Sequence, residues 1–203
     1  VGARTHTVMV GGVTQSFDGL VVASGALPIL PPFARDGNPV VCPLWNAVHA
    51  DAIRARVRAG RRIVVVGGGI LGIEAALRAI EAGMDVTIVQ LMDRLMPAQF
   101  GARASAVLLR RLQDMRIRVL LGHEIKTTSG DDRTARLTLD NGQVLEAELC
   151  LVSIGARPET GLADLSGLET SRGITVDYYL QTTVAGCFAA GDAIQIEGVT
   201  RCS

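Results

Sequence analysis

Residues 64–74 read VVVGGGILGIE: a β-branched run, three consecutive glycines, then an apolar stretch carrying one carboxylate. β-Branched residues favour an extended, pleated backbone. From Ile70 the apolar spacing becomes helical and stops at Gly83. The chain must therefore pass from strand to helix within three residues, which glycine's conformational freedom allows. Gly67, Gly69 and Gly72 fit GxGxxG in this setting, with a second strand, 85–89, about 20 residues later. In such a unit Gly67 permits the tight turn and Gly72 lets helix and strand pack closely. Gly69 lets the backbone approach a pyrophosphate with no Cβ in the way. Gly68 belongs to the same turn, and the amides around Gly69, Ile70 and Leu71 would face phosphates at the positive end of the helix dipole. A bare glycine turn is weak evidence of a ligand. Its full strand-turn-helix-strand context predicts a dinucleotide.

The end of the second strand is where a carboxylate would bind the ribose 2′-hydroxyl of NAD, or an arginine would accommodate the 2′-phosphate of NADP. Here that position is Gln90, with Asp93 and Arg94 just beyond. Glutamine can bond a hydroxyl and does not repel a phosphate. NAD and NADP both remain open, with the single nearby arginine favouring NAD.

The pattern around this unit predicts strands at 63–66, 85–89 and 117–121, and helices over 70–82 and from the Pro97–Gly101 entry to about Met115. Such βαβ units require a parallel sheet with right-handed crossovers. Segments 124–128, 134–139 and 143–146 then alternate polar with apolar around turn signals, which predicts an antiparallel meander before a strand at 149–154. Upstream, 5–10 and 13–17 read as a hairpin closed by Gly11-Gly12, followed by a strand at 20–23. The prolines at 28, 31, 32, 39 and 43 rule out regular structure over 28–43, which reads as a crossing between domains. Trp45 to Arg58 reads as a surface helix, and short strands are expected at 174–176 and 187–190. Met92, Leu95 and Met96 read as packing residues.

Composition removes several function classes. Lys+Arg and Asp+Glu number 20 each, so no net field favours nucleic acid or an anionic membrane surface. The apolar runs are far shorter than the roughly 20 residues a bilayer span requires. Cys42, Cys150, Cys187 and Cys202 are scattered without CxxC spacing, and His6, His49 and His123 are unclustered. This pattern argues against a zinc site, a redox dithiol or a disulfide framework, and suits a reducing, cytoplasmic setting. The chain begins at Val1 without a charged-then-apolar leader, so both ends read as cuts in a longer polypeptide.

Four segments in order, FDGLVVASGALP (17–28), IVVVGGGILGIEAA (63–76), LVSIGARP (151–158) and TTVAGCFAAGD (182–192), resemble the pyridine-nucleotide:disulfide oxidoreductase superfamily of FAD flavoproteins. The resemblance implies an α/β fold: a Rossmann-like NAD(P)-binding domain with an antiparallel β-meander, about 44–157, inserted in a partial FAD domain, 1–43 and 158–203. It implies FAD and NAD(P)H as cofactors. Asp192 on the Gly191 turn, with Gly25, would hold the ribityl and pyrophosphate portion of FAD. Gly155 would permit close approach of the nucleotide. Glu74 would lie near the nicotinamide and help to place its carboxamide, although helix spacing also allows it to pair with Arg78. The run 86–122 resembles the nitrite reductase large subunit and rubredoxin-reductase-like proteins, which implies an electron-acceptor protein or domain. A homodimer would form through a region outside this chain.

The implied activity is an NAD(P)H-dependent FAD oxidoreductase that passes hydride from nicotinamide to flavin and electrons to a protein or metal-centre acceptor. Two alternatives stay open: a disulfide or peroxide reductase whose redox cysteine lies upstream, and a non-catalytic NAD(H)-sensing module.

Overall fold

A short hairpin opens the chain: β1 (Thr7–Val10) pairs antiparallel with β2 (Val13–Ser16), and Val10 lies opposite Val13. Gly11 and Gly12 close it with φ of +58° and +83°, the two positive angles that a two-residue hairpin turn needs. β3 (Leu20–Val22) and β4 (Ala26–Pro28) follow. The computed structural model describes residues 2–35, 37–196 and 199–200. It divides into two units, one built from the chain up to Leu27 and from Ala156 onward, the other from Pro28–Gly155.

The central unit holds a five-stranded parallel sheet built from β5 (Val41–Pro43), β6 (Arg62–Val66), β7 (Asp85–Gln90), β8 (Arg118–Leu121) and β12 (Leu149–Val152), in the order β5-β12-β6-β7-β8. β9 (Ile125–Gly130), β10 (Ala135–Leu139) and β11 (Val144–Ala147) form the expected antiparallel meander. Its helices are α1 (Ala47–Arg56), α2 (Ile70–Glu81) and α3 (Ala102–Asp114). Alternate strand residues face opposite layers, as the two-residue period demands. Ile63 and Val65 of β6 and Leu149 and Leu151 of β12 pack with Ile73, Ala76 and Leu112 of the helices. Val64, Val66, Cys150 and Val152 pack with Leu137, Leu139 and Leu145 of the meander. A strand buried on both faces reads as an unbroken apolar run, which is why β6 and β12 were legible.

Two expectations need correction. Residues 28–43 do contain regular structure: a 3₁₀ turn at Pro32–Ala34 and strand β5, which pairs parallel with β12. β5 is an edge strand, where a proline does not interrupt a ladder on its outer side. Residues 28–43 accordingly belong to the central unit, with its boundaries at Pro28 and Gly155. α1 is also shorter than predicted and buries no residue; it starts after Asn46, whose Oδ1 accepts the His49 N–H at 2.9 Å.

The other unit adds β13 (Ala156–Pro158), which pairs with β4, then α4 (Gly161–Leu165), β14 (Ile174–Val176), β15 (Cys187–Ala189), β16 (Ile194–Ile196) and β17 (Val199–Thr200). β15 runs parallel to β3, and β14 parallel to β16. Val22, Ala163, Ile174, Val176, Cys187 and Ala189 make its core. Cys202 lies outside the described residues.

Candidate dinucleotide-binding site

β6 neighbours β7 on one side and β12 on the other, so the order of connection reverses at its carboxyl end. In open α/β sheets that reversal opens a crevice for ligands. The glycine turn lies there, and each glycine meets a different surrounding. Gly67 has φ +112°, and a Cβ built on it would stand 2.1 Å from the Ser153 carbonyl oxygen beyond β12. A Cβ on Gly72 would stand 2.1 Å from the Gly67 carbonyl oxygen. Around Gly69 a Cβ would meet nothing within 4 Å. Two glycines are thus required by the fold, and the third leaves open space over the backbone. The N–H groups of Gly69, Ile70 and Leu71 find no acceptor among the described residues, and no side chain caps the helix. Exposed helix-terminal amides with room above them fit a pyrophosphate.

Gly68 has a packing role that its place outside GxGxxG did not disclose. A Cβ there would stand 2.5 Å from Leu95 Cδ2 and 3.3 Å from Gln90 Cβ. Three adjacent glycines, where the fingerprint requires two of them, were the signal that could have shown it. Leu95 is fully buried and Met96 half-buried, as packing residues should be; Met92 is 48% exposed and departs from that expectation. Ser105, which sequence reasoning missed, donates its hydroxyl to the Leu95 carbonyl at 2.9 Å.

The structure brings Gln90 and Arg94 to the glycine turn. Gln90 is buried and hydrogen-bonded to Gly68 and to the Arg94 backbone. Arg94 is half-buried; its Nη1 lies 3.5 Å from the exposed Asp93 carboxylate, and its buried Nε has no partner. Gly155, with φ +104°, follows β12 and accepts the Ile29 N–H at 3.0 Å. Glu74 is exposed one turn into α2 and borders an apolar groove of about 900 Å³. Arg78 pairs with Glu81 at 2.9 Å, so the alternative Glu74–Arg78 contact is absent.

Gly25, Gly191 and Asp192 belong to the other unit. They follow the carboxyl ends of the parallel strands β3 and β15, where the Ala190 N–H donates to the Val22 carbonyl at 3.0 Å. Gly25 and Gly191 have φ of +74° and +78°, with nothing within 4 Å of an added Cβ, and Asp192 is exposed. This second bare turn beside an acceptor side chain fits the sugar and phosphate portion of a dinucleotide.

Cys42 and Cys150 lie on adjacent strands but face opposite layers of the central sheet, so they cannot bridge without backbone movement. Burial raises both thiols, and that of Cys187, above the ordinary value, which keeps them protonated. Among the described residues no group of His, Cys, Asp or Glu is arranged to hold a metal, and no helix is long and apolar enough to cross a membrane.

A glycine turn of this geometry at the switch point of a parallel sheet defines a dinucleotide-binding α/β protein. The match of residues 3–202 to the pyridine nucleotide-disulphide oxidoreductase family places the chain in that family. FAD and nicotinamide dinucleotides are the cofactors of the family. The chain is 34% identical over 98% of its length to the nitric oxide reductase FlRd-NAD(+) reductase of Enterobacter sp. (strain 638), of which it covers 52%. It is 32% identical over 91% of its length to the NAD(P)H nitrite reductase of Bacillus subtilis (strain 168), of which it covers 23%. Among solved structures it matches a chain of the covalent putidaredoxin reductase–putidaredoxin complex, with a TM-score of 0.91 and 26% identity, covering 97% of this chain and 49% of that one. The chain thus spans about half the length of the first relative.

Proposed function

We propose that the chain is the NAD(P)H-binding part, with two flanking FAD-binding segments, of a flavin oxidoreductase that delivers electrons to a redoxin-like protein or a metal centre. The observation that carries this reading is the glycine turn, walled at Gly67 and Gly72 and open at Gly69. The names of the relatives, an FlRd-NAD(+) reductase and a nitrite reductase, support an acceptor of that kind. When bound, the cofactors supply the redox chemistry, with hydride passing from nicotinamide to flavin.

This chain's residues bind and orient. The amides of Gly69, Ile70 and Leu71 take the nicotinamide dinucleotide's pyrophosphate, Gly155 admits the nucleotide, and Glu74 orients the carboxamide. Gly25, Gly191 and Asp192 hold the sugar and phosphate of FAD. Positioning supplies the rate, and no side chain has to act as nucleophile or general base.

Coenzyme choice is read near Gln90. An engineered NADPH oxidase derived from an NADH oxidase carries substitutions at a glycine, at an Asp-Ala-Met run that begins eighteen residues later, and at a proline five residues further on. Gly72, Gln90-Leu91-Met92 and Pro97 stand at the same spacing here. At the spacing of that aspartate this chain has an uncharged amide, which brings no negative charge near a 2′-phosphate.

The test uses the full-length flavoprotein and Gly69→Val. NADH should bleach the flavin of the unsubstituted protein. The variant should bind NADH at least tenfold more weakly while losing about 1 kcal/mol or less of stability, because a Cβ there meets no protein atom within 4 Å and the cost is that of a poorer helix N-cap. Unchanged NADH affinity would sink the site.

A further inference from the structure

Gln90 stands where a strand-end residue would read the adenosine ribose, and the structure turns it the other way. The residue is only 8% exposed. Its Oε1 accepts the Gly68 N–H at 2.9 Å, and its Nε2 donates to the Arg94 carbonyl at 3.2 Å. The Gly68 carbonyl accepts the Met96 N–H at 2.9 Å. Three hydrogen bonds therefore tie the glycine turn to the loop that leaves β7, and Met96 is held there at a φ of +46°. That is a left-handed conformation which a non-glycine residue adopts only when its surroundings impose it. Leu95, packed where a Cβ of Gly68 would be, closes the contact from behind.

The arrangement requires a donor and an acceptor on one side chain. A carboxamide has both, whereas an ionised carboxylate has acceptors alone. The partners also fix the amide's orientation, since the Gly68 N–H needs an oxygen and the Arg94 carbonyl needs a nitrogen. A carboxylate at this position would set negative charge against the Arg94 carbonyl and release one side of the connection.

We propose that Gln90 is a positioning residue whose carboxamide latches the phosphate-binding turn to the loop Leu91–Met96, leaving the ribose to be read by that loop. The inference rests on the dinucleotide site described under the proposed function. Leu91, Met92 and Asp93 are exposed, and among the described residues the Arg94 guanidinium has a 3.5 Å contact with Asp93 alone. Arg94 is then the side chain that meets a 2′-phosphate, whereas Gln90, bonded to the Gly68 N–H and to the Arg94 backbone alone, fixes the turn that both coenzymes share. Gln90 influences both coenzymes equally. Arg94 distinguishes them.

The experiment compares Gln90→Glu, Gln90→Met and Arg94→Ala in the full-length flavoprotein, with kcat and KM for NADH and NADPH and hydrogen exchange of the Gly68 amide. Both Gln90 variants should raise KM for the two coenzymes by the same factor, about tenfold, because each releases the Arg94 carbonyl, and Gln90→Met should also hasten Gly68 exchange, because there a buried donor loses its acceptor. Arg94→Ala keeps the carbonyl that the latch uses. It should leave Gly68 exchange unchanged and raise KM for NADPH at least fivefold more than KM for NADH. A Gln90→Glu protein that gains affinity for NADH and rejects NADPH would overturn the proposal, since it would show residue 90 facing the ribose. Unaltered KM and exchange in Gln90→Met, or an unaltered coenzyme ratio in Arg94→Ala, would overturn it as well. If the unsubstituted protein binds neither coenzyme, the dinucleotide site itself fails; if it binds them and Gln90→Glu discriminates, only the latch fails.

Discussion

The two ends of the central parallel sheet are built on opposite principles. At the carboxyl end of β6 the chain offers bare backbone: three glycines, free helix-terminal amides and one buried, uncharged carboxamide. At the amino end of the same strand Arg62 pairs with Glu146 at 2.9 Å and Glu148 at 3.2 Å, and Arg136 reaches Glu146 at 3.3 Å. One end meets a charged ligand with backbone dipoles at the turn and has Arg94 at its margin. The other satisfies its charges internally and clamps the meander to the sheet. A sheet that binds at one edge needs its rigidity supplied from elsewhere, and the ion-paired edge is where the strands and meander are tied.

The largest effect is expected where the bare end is also load-carrying for the fold. Gly67→Ala adds strain at φ +112° to an overlap with the Ser153 carbonyl. Each of these costs about 1–3 kcal/mol, so urea or thermal unfolding should show a loss of about 2–6 kcal/mol. A variant as stable as the parent would refute the contact between the turn and the end of β12. Gly68→Ala should cost less, about 1–3 kcal/mol, because its obstacle is a side chain and not backbone. Adding Leu95→Ala makes room but leaves a cavity in a fully buried site. The double variant should therefore be more stable than the sum of the two single losses predicts. Additive losses would show that Gly68 and Leu95 do not meet. Gly69→Val completes the series with loss of NADH binding and a stability cost of about 1 kcal/mol or less, that of a poorer helix N-cap.

Sequence reasoning reached the glycine turn because strand and helix periods switch within three residues, a local event. The position of Gln90 was equally legible; its direction was not. Residue 90 ends a strand, and whether its side chain turns to solvent or inward depends on Gly68, twenty-two residues away, and on the course of the loop to Met96. β5 was hidden for a related reason. Pro43 within it and Pro39 just before it argue against a strand until its edge position is known, and only β12, more than one hundred residues later, reveals that. β4 and β13 are three residues each, too short to show a period, and each exists because the other is beside it. α1 is the surface helix that its spacing suggested, with Ile53 packed half-buried against the core, and only its ends, set by the Asn46 cap, were not legible. Local signals fixed the elements with many residues, and partners distant in the chain fixed the rest.

The smallest effect should come from the ion-paired end, and its sign distinguishes it from the ligand end. Arg62's side-chain hydrogen bond is the largest influence on Glu146 and lowers its pKa below the ordinary 4.5. At Glu148 burial pushes the carboxyl upward, but the side-chain and backbone bonds from Arg62 outweigh it and the net shift is again downward. Groups whose native pKa is lowered add stability that is complete above their unfolded value and disappears as pH falls through the native one. Stability of the parent should therefore be flat above about pH 5 as far as these two groups are concerned, and should fall below 4.5. Arg62→Met removes the partner, so it should cost about 1 kcal/mol or less at pH 7 for pairs this exposed, and make the acid fall shallower. The Arg62 N–H still donates to Glu148 at 2.8 Å in that variant, which leaves part of the Glu148 effect in place. Because no dinucleotide contact lies at this edge, NADH affinity at pH 7 should not change. An Arg62→Met protein with weakened NADH binding, or with an acid limb as steep as the parent's, would show that the two ends of the sheet are not separate devices.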